Sequence, residues 1–128
     1  MKRHAITLDD LADRHNLLLA TWKAARGKHQ CPSVAHWLAQ LDDNLANLAA
    51  RIREGRAPLG GLRRFQIRDP KPREISVHGF ADRVLHHAIF NLAEARLERS
   101  LVDSSFACRP GKGVHAAVSH VQQHLQRH

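Results

Sequence analysis

The chain has no tyrosine, one methionine, two cysteines and few other aromatics, four Phe and two Trp among 128 residues. Its cysteines, Cys31 and Cys108, are far apart and neither has a CxxC partner. That spacing excludes a disulfide scaffold and a cysteine zinc site, and both thiols read as reduced, in a cytoplasmic protein. No apolar run approaches the roughly 20 residues that span a bilayer. The opening Met1-Lys-Arg-His-Ala-Ile-Thr-Leu-Asp-Asp10 is too polar for a secretory signal. Acids are scarce beside bases, 12 Asp and Glu against 20 Lys and Arg, for a formal charge of +8. Such a balance favours polyanionic partners, nucleic acid or an anionic membrane surface, and says nothing about fold. The length suits one domain able to bury about two-thirds of its surface.

What is present begins with helical spacing. Thr7 and Asp10 form a capping signal ahead of Leu8, Leu11, Leu18, Leu19, Trp22 and Ala25, and Gly27 ends that helix. Pro32-Ser33 opens a second helix, striped by Val34, Trp37, Leu38, Leu41, Leu45, Leu48 and Ile52 and closed by Gly55. Residues 56–61 connect to a segment whose period is two. Phe65 and Ile67 share one face, as do Ile75 and Val77 beyond Asp69-Pro-Lys-Pro72, which predicts a β-hairpin. Pairing Ile67 with Ile75 and Phe65 with Val77 keeps all four together, sets Arg68 opposite Glu74, and leaves Lys71, Arg73 and both prolines at the loop. A third helix is expected from Phe80 to Arg99, an extended stretch from Ser104 to Arg109, a turn at Pro110-Gly-Lys-Gly113, and a last helix carrying Val114, Ala117, Val118, Val121 and Leu125.

Three places could carry chemistry. The hairpin loop offers Arg68, Lys71 and Arg73 to a phosphate, for which the arginine fork is suited, although a solvated basic turn accounts for the same residues. Arg109-Pro-Gly-Lys112-Gly allows close backbone approach before a helix N-terminus, or is simply the turn that starts the helix; it is not a Walker A loop. Asp82-Arg83, in the first turn of the third helix, could order the hairpin base or form a local ion pair. His120, His124 and His128 share a helix face without an HExxH pattern and read as polar surface, so no metal site is assigned. Asp9-Asp10 and Asp42-Asp43 follow no strand, and without Tyr there is no Tyr-x-Asp-Asp; both pairs read as surface charges.

Taken in order, Lys71-Pro-Arg-Glu-Ile75, Asp82-Arg83 with a helix ending near Glu98-Arg99, and Ser105-Phe-Ala-Cys-Arg-Pro-Gly-Lys-Gly-Val-His115 resemble successive fingers motifs of bacterial reverse transcriptases. The likeness is closest to the enzymes of diversity-generating retroelements, with group II intron and retron enzymes as relatives. It covers nearly the whole chain and is most specific over Arg109–Ala116. The resemblance implies an α+β fold, mainly helical with a basic hairpin, like the fingers of a right-hand polymerase. It divides the chain into a helical segment, 1–60, and the hairpin with its following helices, 61–128.

It also implies roles. Arg68 and Arg73, helped by Lys71, would hold the triphosphate of the incoming dNTP. Arg109 and Lys112 would lie along the template or near the nucleotide pocket, and Asp82 and Arg83 would brace the fingers. RNA template, DNA primer, dNTP and a palm–thumb polypeptide are the implied partners, with no membrane. In the family the metal-binding aspartates stand in a palm beyond these motifs. No catalytic residue and no cofactor is therefore assigned here, and Mg²⁺ is expected only with a palm. A stand-alone basic nucleic-acid-binding module is the other reading, and a degraded reading frame a third. A polymerase piece should carry an apolar surface on its last two helices, which a self-sufficient module should not.

Overall fold

The structure, a computed structural model, describes residues 5–57 and 60–127. It is α+β and mostly helical. The elements run α1 (Leu8–Leu11), α2 (Arg14–Ala25), α3 (Pro32–Ala39), α4 (Leu41–Arg53), β1 (Arg63–Asp69), β2 (Lys71–Val77), α5 (Phe80–Ser100) and α6 (Val114–Arg127). The chain forms two compact units, one up to Leu92 and the other from Ala93.

Both expected leading helices are broken. The capping box at Thr7 is present, its hydroxyl accepting from the Asp10 N–H at 3.1 Å while Asp10 accepts from the Thr7 N–H at 2.9 Å. It starts only one turn, because Asp13 caps a new helix by accepting from His15 and Asn16 N–H. The second helix breaks at Gln40 (φ −122°, ψ 39°). There the Asn44 side-chain amide donates to the Trp37 carbonyl at 2.9 Å, satisfying an acceptor near the break.

The core of the first unit gathers Leu17, Ala20 and Ala24 from α2, Val34 from α3, Leu45, Leu48 and Ile52 from α4, and Val84, Leu85 and Ala88 from α5. Polar stitches join α2 to α5. Asn16 donates to the Ala88 carbonyl at 3.2 Å, Asn91 donates to the Asn16 side chain at 3.0 Å, and the Lys23 ammonium donates to Asn91 at 2.7 Å. Both acid pairs lie on the surface, with Asp9 ion-paired to Arg53 and Asp42 to Arg14.

The hairpin register differs from expectation. Phe65 faces Ile75, Ile67 faces Arg73, Arg68 faces Pro72, and Asp69 faces Lys71 across a turn at Pro70. Pro72 therefore lies in β2 and not in the loop. Glu74 stands opposite Gln66 and meets the Arg64 guanidinium at 3.6 Å in place of Arg68. The slip is two residues along one strand, so the apolar set stays on one face and the alternation cannot detect it.

In the second unit, residues 104–109, expected to be extended, carry turns, with Cys108 (φ 56°) in the left-handed region, and the turn expected at Pro110-Gly-Lys-Gly113 is present, with Gly111 at φ 69°. The helix α6 buries none of its described side chains. No helix among the described residues is long and apolar enough to cross a membrane.

Candidate nucleic-acid interface

The hairpin projects its cations into solvent. All of β1 and most of β2 are exposed, with only Ile75 and Val77 half-buried. Arg68, Lys71 and Arg73 are exposed, and none is ion-paired with a described residue. By strand alternation Arg73 shares the face of Phe65 and Ile67, whereas Arg68 shares that of Arg64 and Glu74. The two arginines thus flank the ribbon near its tip. Phe65 and Ile67 remain 42% and 40% exposed. The Arg63 guanidinium lies 5.9 Å from the Phe65 ring centre, a cation–π approach on that same face.

At the base of the hairpin, Asp82 is buried and accepts the Gly60 N–H at 2.8 Å. Asp82 stands in the first turn of α5, where the helix dipole favours a carboxylate. Among the described residues it makes no ion pair with Arg83. The Arg83 guanidinium instead lies 5.2 Å from the Phe80 ring centre, and Phe80 packs edge-on against Trp37 at 5.6 Å.

A cleft of about 680 Å³ opens between the α2–α3 turn, the hairpin base and the start of α5. Lys28, Arg63, His78 and Arg83 bring positive or protonatable groups to it, no acid among the described residues lines it, and Pro32, Val77 and Phe80 supply apolar wall. Nearby, burial lowers the His87 pKa below the usual imidazole value. The charges of Lys23, His86, Arg83 and Lys28 act in the same sense.

In the second unit Arg109 is committed to the fold. Its side chain is 7% exposed, and it donates from Nε to Glu98 at 2.8 Å, from Nη1 to the Val102 and Ser105 carbonyls at 2.8 and 2.9 Å, and pairs through Nη2 with Glu98 at 2.6 Å. It therefore holds the turn after α5 to that helix's last residues. Lys112 lies over the Phe106 ring at 5.4 Å and donates to the Asp103 carbonyl. Phe106 in turn meets His120, whose ring lies tilted against His124 at 4.5 Å. No cluster of three or more metal-ligating side chains occurs among the described residues.

The residues that sequence reasoning passed over are Lys28, Arg63 and His78. Each stood in the sequence as an ordinary basic residue near a turn or strand end. Their segments are apart in sequence and meet at one cleft only in the folded chain. No protein-family profile matches the chain, and no curated protein matches it at significant similarity.

Proposed function

We propose that the chain is the fingers portion of an RNA-directed DNA polymerase, a reverse transcriptase of the diversity-generating retroelement type. It positions the template and the incoming dNTP and is not catalytic alone. The observation that carries this reading is the exposed basic ribbon, on which Arg68, Lys71 and Arg73 stand free of described ion-pair partners around one tip. Cations held beyond the fold can reach a triphosphate, and Arg offers it a bidentate fork. Arg109 and Lys112 then act on the template mainly by shaping and presenting the turn before α6. Metal-dependent transfer calls for palm carboxylates and Mg²⁺. The reading places the protein in the cytoplasm.

The stand-alone binding module explains the charge equally well, but not the face of α6. Val114, Val118, Val121 and Leu125 recur at 4-3-4 spacing and are 50% or more exposed. An apolar stripe without cover is what a piece made to meet a palm requires.

The test is primer extension on an RNA template with Mg²⁺ and dNTPs, for the chain alone and mixed with a palm–thumb polypeptide. Extension in the mixture alone supports the polymerase reading. No extension in either, with salt-sensitive RNA binding intact, transfers the case to the binding module.

A further inference from the structure

We infer that the cleft beneath the hairpin seats an unpaired nucleotide of a single strand, its base against the apolar wall and its flanking phosphates on the basic rim. This site is separate from the hairpin tip and deepens the nucleic-acid reading, on which it rests. Pro32, Val77 and Phe80 give the cleft an apolar surface, and Lys28, Arg63 and Arg83 surround it without a carboxylate. Its volume of about 680 Å³ falls in the range of sites that enclose small ligands. A basic groove beside an apolar surface suits a single strand of any sequence, since every base has an apolar face and every phosphate a charge; Phe80 itself is 7% exposed and shows the cleft little of its ring.

Two further features favour an anion. Cys31, Pro32 and Ser33 bring the positive end of the α3 dipole to the wall. Arg83 lines the cleft and makes no ion pair with a described residue, so its charge is not offset by a carboxylate there. A duplex fits less well. Its bases are stacked inside and cannot reach the apolar wall, whereas an unpaired base can turn in. Inorganic triphosphate would use the rim and leave the wall uncovered.

Cys31 supplies a local reporter. It is exposed and lines the cleft, while the other thiol, Cys108, belongs to the second unit. The experiment measures N-ethylmaleimide alkylation of each thiol by peptide mass spectrometry. It uses the intact chain alone, with oligouridylate of about 12 nucleotides, with an RNA duplex of equal length, or with inorganic triphosphate. Fluorescence anisotropy of the labelled strand runs in parallel. Saturating single strand should slow Cys31 alkylation about fivefold, by blocking access, and raising salt from about 50 to about 200 mM should restore it. Lys28→Gln with Arg63→Gln should weaken the single strand about tenfold and lower the salt slope by about 1.4, two lost phosphate contacts. Lys28→Arg should retain binding. An unchanged Cys31 rate while anisotropy reports binding overturns the cleft site and leaves the hairpin reading standing. Equal protection by duplex or by triphosphate overturns the unpaired-nucleotide assignment. Absence of any binding overturns this site and the nucleic-acid reading together.

Discussion

The Asp82 carboxylate accepts the Gly60 N–H at 2.8 Å, and a Cβ added to Gly60 would stand 2.7 Å from the same oxygen. One short contact thus ties the lead-in of the hairpin to the first turn of α5 and admits only glycine on the hairpin side. Asp82 is buried, so its oxygen has little room to retreat. Gly60→Ala should cost about 1–3 kcal/mol through overpacking. Asp82→Ala should cost about as much by leaving the Gly60 amide unsatisfied, and Asp82→Asn, which keeps an acceptor, should cost less. Urea unfolding measures all three. A Gly60→Ala protein as stable as the parent would mean that the tie does not constrain the hairpin base.

Arg109 separates a structural from a contact role. Its replacement removes donors from Glu98 and from two backbone carbonyls, so Arg109→Ala should destabilise the second unit by about 1–3 kcal/mol. Arg109→Lys should not rescue it, because a point ammonium cannot serve that fork. Hydrogen exchange should show lost protection over residues 98–113 and unchanged protection in α2 and α4. Weakened RNA binding with protection intact would instead make Arg109 a direct contact.

Much of the fold follows from local signals, and its errors have physical causes. The Thr7–Asp10 box, the stripe from Val34 to Ile52, the hairpin and the helix from Phe80 are all present at or near their expected places. The breaks at Asp13 and Gln40 escaped notice because the apolar period continues across them. A carboxylate accepting two N–H groups at Asp13 competes locally with helix continuation. The hairpin register failed because alternation fixes faces and leaves a slip of two to the turn. The cleft was illegible for a different reason. Lys28, Arg63 and Arg83 belong to separate segments that meet only through long-range packing, and no local pattern records that meeting.

His87 should make stability depend on pH in one direction. Its folded pKa is lowered, by burial first and then by the charges of Lys23, His86, Arg83 and Lys28. Above the unfolded value, about 6.5, the group is neutral in both states and the fold loses nothing. As pH falls below that value the unfolded chain takes the proton first, so stability declines until the folded value is passed. His87→Gln should shrink the difference in melting temperature between about pH 7.5 and pH 5.5 relative to the parent. An identical difference would assign the pH dependence to the other histidines.

Arg68 and Arg73 point to opposite faces of the ribbon, so their effects should combine without strong coupling. Each single replacement by Ala should lower the salt slope of RNA binding by about 0.7, and the double replacement by about 1.4. If the chain is the fingers portion of a polymerase, then with a palm–thumb polypeptide the pair should matter more for dNTP than for plain RNA, because a triphosphate at the tip would engage both faces at once. Equal losses in KM for dNTP and in RNA affinity would argue against a nucleotide role for the tip.

The apolar stripe of α6 allows stability and assembly to be read apart. Since α6 buries none of its described side chains, Val118→Lys with Val121→Lys should leave the melting transition within about 0.5 kcal/mol of the parent, as surface substitutions do. If the stripe meets a palm, the same protein should lose about tenfold in primer extension with the palm–thumb polypeptide, because two ammonium groups would be buried without partners. It should also stay soluble at higher concentration, having lost the exposed valines. Extension that survives both charges would show that the stripe faces solvent in the working enzyme, and the case for a polymerase piece would then rest on the hairpin alone.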